Sequence, residues 1–172
     1  HATDLCAEAV RRTRVAAARR GWTDGFTVAA RIREYALAAV QGRSPTECEA
    51  LRESATSAVA NLTHAPKAVR SILEQRLAAV AAGTVNPDVA ANEAALRLLC
   101  IRAELISGAP TPPEDVELRR EYQMRRLVES MGHGERVTPA ALDDLALEWI
   151  AIGPVEPAVH DALLARFERC RT

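Results

Sequence analysis

Aromatic residues are scarce in this sequence, and lysine is almost absent. Aromatic side chains make up 3% of the 172 residues, while hydrophobic residues, mostly alanine and leucine, reach 48%. Alanine and leucine favour helices, whereas aromatic and β-branched residues are enriched in strands. Lys67 is the one lysine among 22 basic residues, a bias that we attribute to a GC-rich genome. The composition therefore predicts an all-helical fold.

Cysteine pairs and the usual catalytic motifs are also lacking. The four cysteines are far apart in the sequence, and none belongs to a C-x-x-C pair. Each falls on the apolar face of a predicted helix, which is typical of reduced structural cysteines in a reducing compartment. There is no P-loop, G-x-S-x-G or H-E-x-x-H motif, and so nothing indicates a phosphate cradle, a serine nucleophile or zinc.

Isolated acidic residues and histidines do not form a catalytic set. Asp143 and Asp144 are adjacent, so on a helix their side chains point ~100° apart and cannot share one substrate. His133 lies between two glycines and is best interpreted as a solvated loop residue. We therefore predict no catalytic residue, no metal ligand and no cofactor.

Positive charge is concentrated at the start of the chain. The formal net charge is −1, but residues 1–43 contain eight arginines and four acidic residues, and residues 132–172 contain four arginines and seven acidic residues. The predicted first helix has a basic cluster and, opposite it, an apolar side. The cluster comprises Arg11, Arg12, Arg14, Arg19 and Arg20, and the apolar side comprises Cys6, Ala9, Val10, Thr13 and Ala17. The cluster is a candidate nucleic-acid contact, although a solvated helix face is the simpler interpretation, because no aromatic platform interleaves with it.

Hydrophobic periodicity and capping residues predict about eight helices and no β-sheet. The predicted helices are 3–20, 26–41, 44–62, 66–83, 86–106, 111–131, 138–152 and 157–170, with residues 21–25 as a turn. Short links between such helices favour an antiparallel helical array, either α-solenoid-like or an irregular bundle. We expect residues 1–172 to form a single domain, with 1–83 and 86–172 as alternative sub-units.

The helix predicted from Asn86 to Ile106 is nearly apolar around its circumference, which is typical of a buried helix. Asn86, followed by a proline, supplies its predicted N-cap. Arg102 falls on the apolar side. We predict that Arg102 is a buried structural charge paired with a carboxylate such as Glu117 or Glu121. The alternative is an anchor for an anionic partner.

The next predicted helix, 111–131, follows a link that contains glycine and proline. Gly108 is predicted to end the preceding helix in the left-handed conformation. Thr111 and Glu114 then form a predicted capping box. The inward stripe of the new helix is predicted to be Met124, Leu127, Val128 and Met131.

The region from residue 86 to 170 resembles the C-terminal region of large bacterial all-helical proteins. The similarity rests on Leu-Cys-Ile-Arg-Ala-Glu at 99–104, the segment 110–115, Leu118-Arg119, Glu-Tyr-Gln at 121–123, Arg126-Leu127, Glu148-Trp149, Gly-Pro-Val at 153–155 and Arg166-Phe167. Those proteins carry tandem coiled repeats of a domain of unknown function and are sometimes labelled exonucleases or DNA-repair ATPases. The resemblance implies an all-helical architecture, a cytoplasmic location and no established activity.

The expected function is that of a non-catalytic helical interaction module. The sequence begins at His1 without a methionine, and we expect it to be a C-terminal fragment of a larger bacterial protein, in contact with neighbouring domains or a protein partner. It has no transmembrane run, signal peptide or lipidation motif, so no membrane partner is expected. A nucleic-acid-associated module is the alternative, and a nuclease or other hydrolase is a third hypothesis.

Overall fold

The computed structural model describes residues 2–129 and 140–171, and these residues are all-helical. They form seven α-helices and one 3-10 turn, without a strand. The α-helices are α1 (Ala2–Val40), α2 (Pro45–Ala60), α3 (Lys67–Ala81), α4 (Val89–Ser107), α5 (Val116–Glu129), α6 (Ala140–Ala151) and α7 (Pro157–Arg169), and the 3-10 turn is Pro113–Asp115. The predicted all-α class is confirmed. The chain divides into two compact units, unit 1 (His1–Pro87) and unit 2 (Asp88–Thr172).

The first helix is continuous, and the predicted turn at residues 21–25 is wrong. Helix α1 runs from Ala2 to Val40 and replaces two predicted helices, which is why the described residues form seven rather than eight. A Cβ atom placed on Gly21 would lie 2.2 Å from the carbonyl oxygen of His64. Gly21 is therefore needed for close packing between the helix and the link after α2. A glycine that permits close approach resembles, in sequence alone, one that bends the chain.

Unit 1 is built from the second half of α1 together with α2 and α3. The chain reverses after Gly42, which has a φ of 66°. Ser44 then caps α2 in the predicted capping box: its hydroxyl accepts from the Glu47 N–H, and the Glu47 carboxylate accepts from the Ser44 N–H at 3.2 Å. The three helices bury a largely aliphatic core that includes Phe26, Ile32, Leu37, Ala55, Val59, Leu62, Val69 and Leu73.

Unit 2 is built around α4, which packs against α6 and α7. Trp149 and Phe167 stack with ring centroids 4.8 Å apart, in the geometry that aromatic pairs favour. The buried Asn92 side chain donates to the Pro154 carbonyl at 3.0 Å. A Cβ atom on Gly153 would come within 2.6 Å of that same side chain, so the link after α6 requires a residue as small as glycine.

The ends of α4 and α5 differ in part from the prediction. The N-cap of α4 is Asp88, not Asn86, and its carboxylate accepts from the Ala91 N–H at 3.0 Å. Gly108 ends α4 in the left-handed region at φ 75°, as predicted. Helix α5 begins only at Val116, because the 3-10 turn precedes it. Three predicted features, Met131, His133 and the helix start at residue 138, lie outside the described residues.

Candidate interaction surfaces and the buried ionic network

Unit 2 contains a buried cluster of charged side chains centred on Arg166. Its guanidinium donates to Glu104 through Nε at 2.6 Å and through Nη2 at 3.0 Å. Its Nη1 donates to Asp115. The three side chains are 8%, 2% and 3% exposed, respectively. One arginine from α7 therefore joins α4 to the 3-10 turn by charge-assisted hydrogen bonds, which are among the stronger contacts in proteins.

Further hydrogen-bond donors contact the carboxylates of Glu104 and Asp115. Arg97 donates to Asp115 at 3.2 Å and to Glu93 at 3.0 Å. The Thr111 hydroxyl donates to Glu104 at 2.6 Å and accepts from Arg119 at 2.8 Å.

These contacts correct one prediction from the sequence. Thr111 does not cap the helix that follows, because its hydroxyl is committed to Glu104. Glu104 itself is buried.

The network alters the ionisation of its members. Burial by itself would raise the pKa of Asp115, but hydrogen bonds from Arg166 and then Arg97 outweigh it, and the pKa of Asp115 lies below its usual range. Burial likewise opposes the charge of Arg166, yet the hydrogen bonds to Glu104 and Asp115 raise the pKa of Arg166. Nearby, burial raises the pKa of the Cys100 thiol to about 12. Asp115 is therefore held as an anion and the Cys100 thiol as a neutral group.

Arg102 lies at the edge of unit 2 instead of in its centre. It pairs with Glu148 on α6, not with Glu117 or Glu121, and its side chain is 30% exposed. One of its two hydrogen bonds to Glu148 measures 3.0 Å. The deeply buried arginine of unit 2 is Arg166, which is not among the predicted site residues. A signal was present, because Arg166 lies three residues after Leu163 and four before Cys170, at the spacing of the buried stripe.

The arginine cluster lies on the exposed first half of α1. All five arginines are exposed. Arg11 and Arg12 both pair with Glu8. Among the described residues, Arg14, Arg19 and Arg20 form no ion pair with an acidic side chain. The opposite, apolar side is also open to solvent: Val10 is 50% exposed, and Ala9 and Thr13 are exposed as well.

The arginines continue the core-facing line of the same helix. Seven residues, close to two helical turns, return a side chain to the same face. Arg14 stands seven positions before Gly21, which is buried. Arg19 stands seven positions before Phe26, which is 1% exposed. The helix face that packs against α2 and α3 after residue 20 is therefore basic and exposed in the residues that precede Gly21.

Comparisons with models of protein families, with curated proteins and with solved structures found no match. Within the described ranges, no group of three or more histidine, cysteine, aspartate or glutamate side chains is placed to hold a metal ion. In the same ranges, none of the helices has both the length and the apolar character needed to cross a bilayer.

A second exposed surface lies on α5. Met124, Leu127 and Val128 are 59%, 62% and 71% exposed, and so the prediction that they form an inward stripe is wrong. Their spacing of three and four residues places them on one side of the helix. Unit 2 therefore presents a short apolar ridge, which we name the α5 ridge.

Proposed function

We propose that this chain is a non-catalytic helical interaction module that presents helix surfaces to neighbouring domains or to a protein partner. The observation that carries the proposal is the distribution of exposed apolar side chains. Six of the seven large apolar residues exposed among the described residues lie on the first half of α1 or on α5. Concentration of exposed apolar side chains marks interaction sites, whereas single scattered ones need no explanation.

The buried network supports a scaffolding role for unit 2. Glu104 and Asp115 are the most deeply buried carboxylates described, and each receives hydrogen bonds from an arginine and at least one further donor. Carboxylates in acid–base catalysis need a proton that they can exchange near neutral pH. Here the arginines stabilise the ionised form of Asp115 and oppose that exchange.

The proposal extends to the setting of the module. We place it in the C-terminal part of a larger, cytoplasmic bacterial protein, in keeping with the resemblance of residues 86–170. In that setting the helices are part of a longer antiparallel array, α-solenoid-like or bundle-like, and exposed helix faces are where such arrays continue.

Site-specific photo-crosslinking in living cells of the source organism tests this proposal. A photoreactive amino acid is placed at position 124 on the α5 ridge, at position 15 on α1, or at the exposed position 56 on α2 as the matched control. We expect crosslinks from 124 or 15 to one defined polypeptide, or to another segment of the same chain, and none from 56. Equal yields at all three positions would contradict the proposal. Turnover of DNA or RNA with Mg²⁺ or Mn²⁺ would contradict its non-catalytic part.

A nucleic-acid-associated module is the second candidate. It is favoured by the exposure of Arg11, Arg12, Arg14, Arg19 and Arg20, three of which have no ion pair with any acidic residue that the structure describes. Phosphate contacts by arginine weaken steeply with salt, because binding releases counterions.

Fluorescence anisotropy with labelled 20-mer DNA and RNA, measured across a salt series, tests this candidate. One variant changes the five arginines of the cluster to glutamine. The control changes five other exposed arginines to glutamine, Arg31, Arg43, Arg52, Arg120 and Arg125, and so alters the net charge equally. This candidate predicts loss of binding in the first variant alone. No binding at low salt, or equal loss in both, would exclude it.

A further inference from the structure

The exposed half of α1 has a surface that matches the side of a second helix. We propose that residues 7–20 of α1 bind an acidic amphipathic helix supplied by another polypeptide. This inference rests on the proposed function and names one of its surfaces and the chemistry of the partner. The occupant would lie along the line that α2 and α3 already use further along α1.

The packed half of α1 shows how the exposed half would be covered. Helix α1 packs against α2 and α3, and its buried residues lie between Gly21 and Ala38. The link after α2 reaches α1 at Gly21, where the His64 carbonyl oxygen would lie 2.2 Å from a Cβ atom placed on the glycine. Among the described residues, the buried part of α1 therefore begins at Gly21. The helix extends towards its N-terminus for a further 14 residues, 7–20, a length of roughly 21 Å at about 1.5 Å per residue. A partner helix of about four turns would fill this length.

Apolar side chains lie on the uncovered face. Val15 stands seven positions before Trp22 and fourteen before the buried Ala29, and it is 51% exposed. Ala18 stands fourteen positions before the buried Ile32 and is also exposed. Together with the seven-residue relation of Arg14 and Arg19 to buried positions, this gives a mixed apolar and basic stripe. Such a stripe is suited to a helix that offers both small apolar residues and carboxylates.

Charge complementarity selects an acidic occupant. Segment 7–20 contains five arginines and one acidic residue, Glu8, which already pairs with Arg11 and Arg12. Arg14, Arg19 and Arg20 make no ion pair among the described residues and are available to carboxylates. Pairing of α1 with the α1 of a second copy would oppose two segments with the same excess of positive charge, and like charges facing each other repel.

The same surface fits nucleic acid less well. Val15 lies within the arginine face, where phosphate contact would leave it without an apolar neighbour. The closest aromatic residue along the helix, Trp22, packs with its ring centroid 6.2 Å from that of Phe26. Base stacking requires an exposed aromatic platform, and segment 7–20 has no aromatic residue. A protein helix therefore uses more of the surface than a phosphate backbone does.

Titration of the full chain with synthetic peptides tests the inference. The probe is a labelled 21-residue peptide with leucine and alanine at heptad a and d positions and glutamate at e and g. One control peptide has the same composition in scrambled order, and the other has lysine in place of glutamate. Anisotropy at 50 mM salt should give at least tenfold tighter binding of the acidic heptad peptide than of either control. A 20-mer DNA duplex serves as competitor.

Protein variants then locate the binding surface. Val15→Gln with Ala18→Gln, and separately Arg14→Gln with Arg19→Gln, should each weaken binding of the acidic peptide at least tenfold. Both pairs lie on the exposed helical segment, so circular dichroism and size exclusion can check that they remain folded and monomeric. The control Arg120→Gln with Arg125→Gln, on α5, should leave binding unchanged.

Several results would overturn the inference. These are equal binding of the scrambled peptide, binding that the α1 variants do not alter, or a DNA duplex that displaces the peptide and binds tighter. Dimerisation that these variants abolish would assign the surface to a second copy. Photo-crosslinks from position 124 but not from position 15 would overturn this inference and leave the proposed function intact, while the absence of both would remove the proposed function itself.

Discussion

The two units differ in how each accommodates a buried arginine. In unit 1, Arg33 is 4% exposed, and burial followed by the positive charge of Arg76 lowers the pKa of Arg33. In unit 2, Arg166 is similarly buried, but two carboxylates raise its pKa. Burying a charge is costly unless a partner compensates it. Arg166 is therefore an organising contact of unit 2, whereas the pKa of Arg33 shows that burial and Arg76 oppose its charge.

Replacing each buried arginine by methionine should give the largest difference between the units. Arg166→Met leaves Glu104 and Asp115 buried without their main partner and should destabilise unit 2 by about 3–5 kcal/mol. Arg33→Met removes a charge whose pKa is lowered by burial and then by Arg76, and should cost unit 1 less than Arg166→Met costs unit 2. Native-state hydrogen exchange, read at Leu99 in unit 2 and at Leu73 in unit 1, measures both. Equal losses of stability from the two variants would contradict this difference between Arg166 and Arg33.

The rate of thiol alkylation should show the next largest difference between the two units. With a pKa of about 12 for Cys100, on the order of one thiol in ten thousand is ionised at pH 8. Cys48 in unit 1 is partly exposed. Pulsed alkylation with iodoacetamide, followed by peptide mass spectrometry, should modify Cys100 roughly 100-fold more slowly than Cys48 or slower still. Comparable rates would show that unit 2 opens far more often than its burial implies.

A change at the tight contact of unit 1 should have an intermediate effect. Gly21→Ala would place a methyl group against the His64 carbonyl, and overpacking of this kind costs about 1–3 kcal/mol. Helix propensity acts in the opposite direction by only about 0.5–1 kcal/mol. Urea unfolding should therefore show net destabilisation of unit 1. Ala18→Gly, at an exposed position on the same helix, calibrates the propensity contribution, and a stabilised Gly21→Ala variant would contradict the close approach.

Acid should affect unit 2 through Asp115. Its pKa is lower in the folded state than the ordinary value of about 3.9, because Arg166 and Arg97 stabilise the anion despite burial. Its contribution to stability is therefore complete above that ordinary value and is lost as the pH falls through the folded pKa. Hydrogen exchange at Leu99 should show unit 2 weakening below about pH 4. Asp115→Asn, which cannot titrate, should show a shallower dependence on pH.

The exposed ion pair of unit 2 should give the smallest effect. Arg102→Met removes the contact with Glu148, in which the two side chains are 30% and 49% exposed. Pairs of this kind contribute about 0.2–1 kcal/mol. Urea unfolding should give a loss within that range and well below that of Arg166→Met. A loss as large as the latter would restore Arg102 as a buried structural charge.

Local patterns predict much of this fold. The Ser44 capping box and the left-handed Gly108 follow from a few neighbouring residues, and both are confirmed. The predicted turn at Gly21 is wrong because this glycine serves a close contact with His64, which is 43 residues away in sequence. Contacts between residues so far apart in sequence cannot be predicted from the neighbouring residues alone.

The candidate sites were predictable only in part. The arginine cluster is evident in the sequence, but its register with the packed face depends on α1 being continuous. Arg166 finds Glu104 and Asp115 at sequence separations of 62 and 51 residues. Sequence periodicity can place Arg166 near the buried side of α7, but it cannot name partners on other elements.

The continuity of α1 has a consequence for the kinetics and energetics of recognition. Starting a helix is the unfavourable step, while each added residue extends it at little cost. The half held by α2 and α3 supplies that start, so residues 7–20 grow from an existing template instead of nucleating alone. A partner would bind a helix that is already ordered, and binding would avoid most of the entropy loss that accompanies coupled folding and binding.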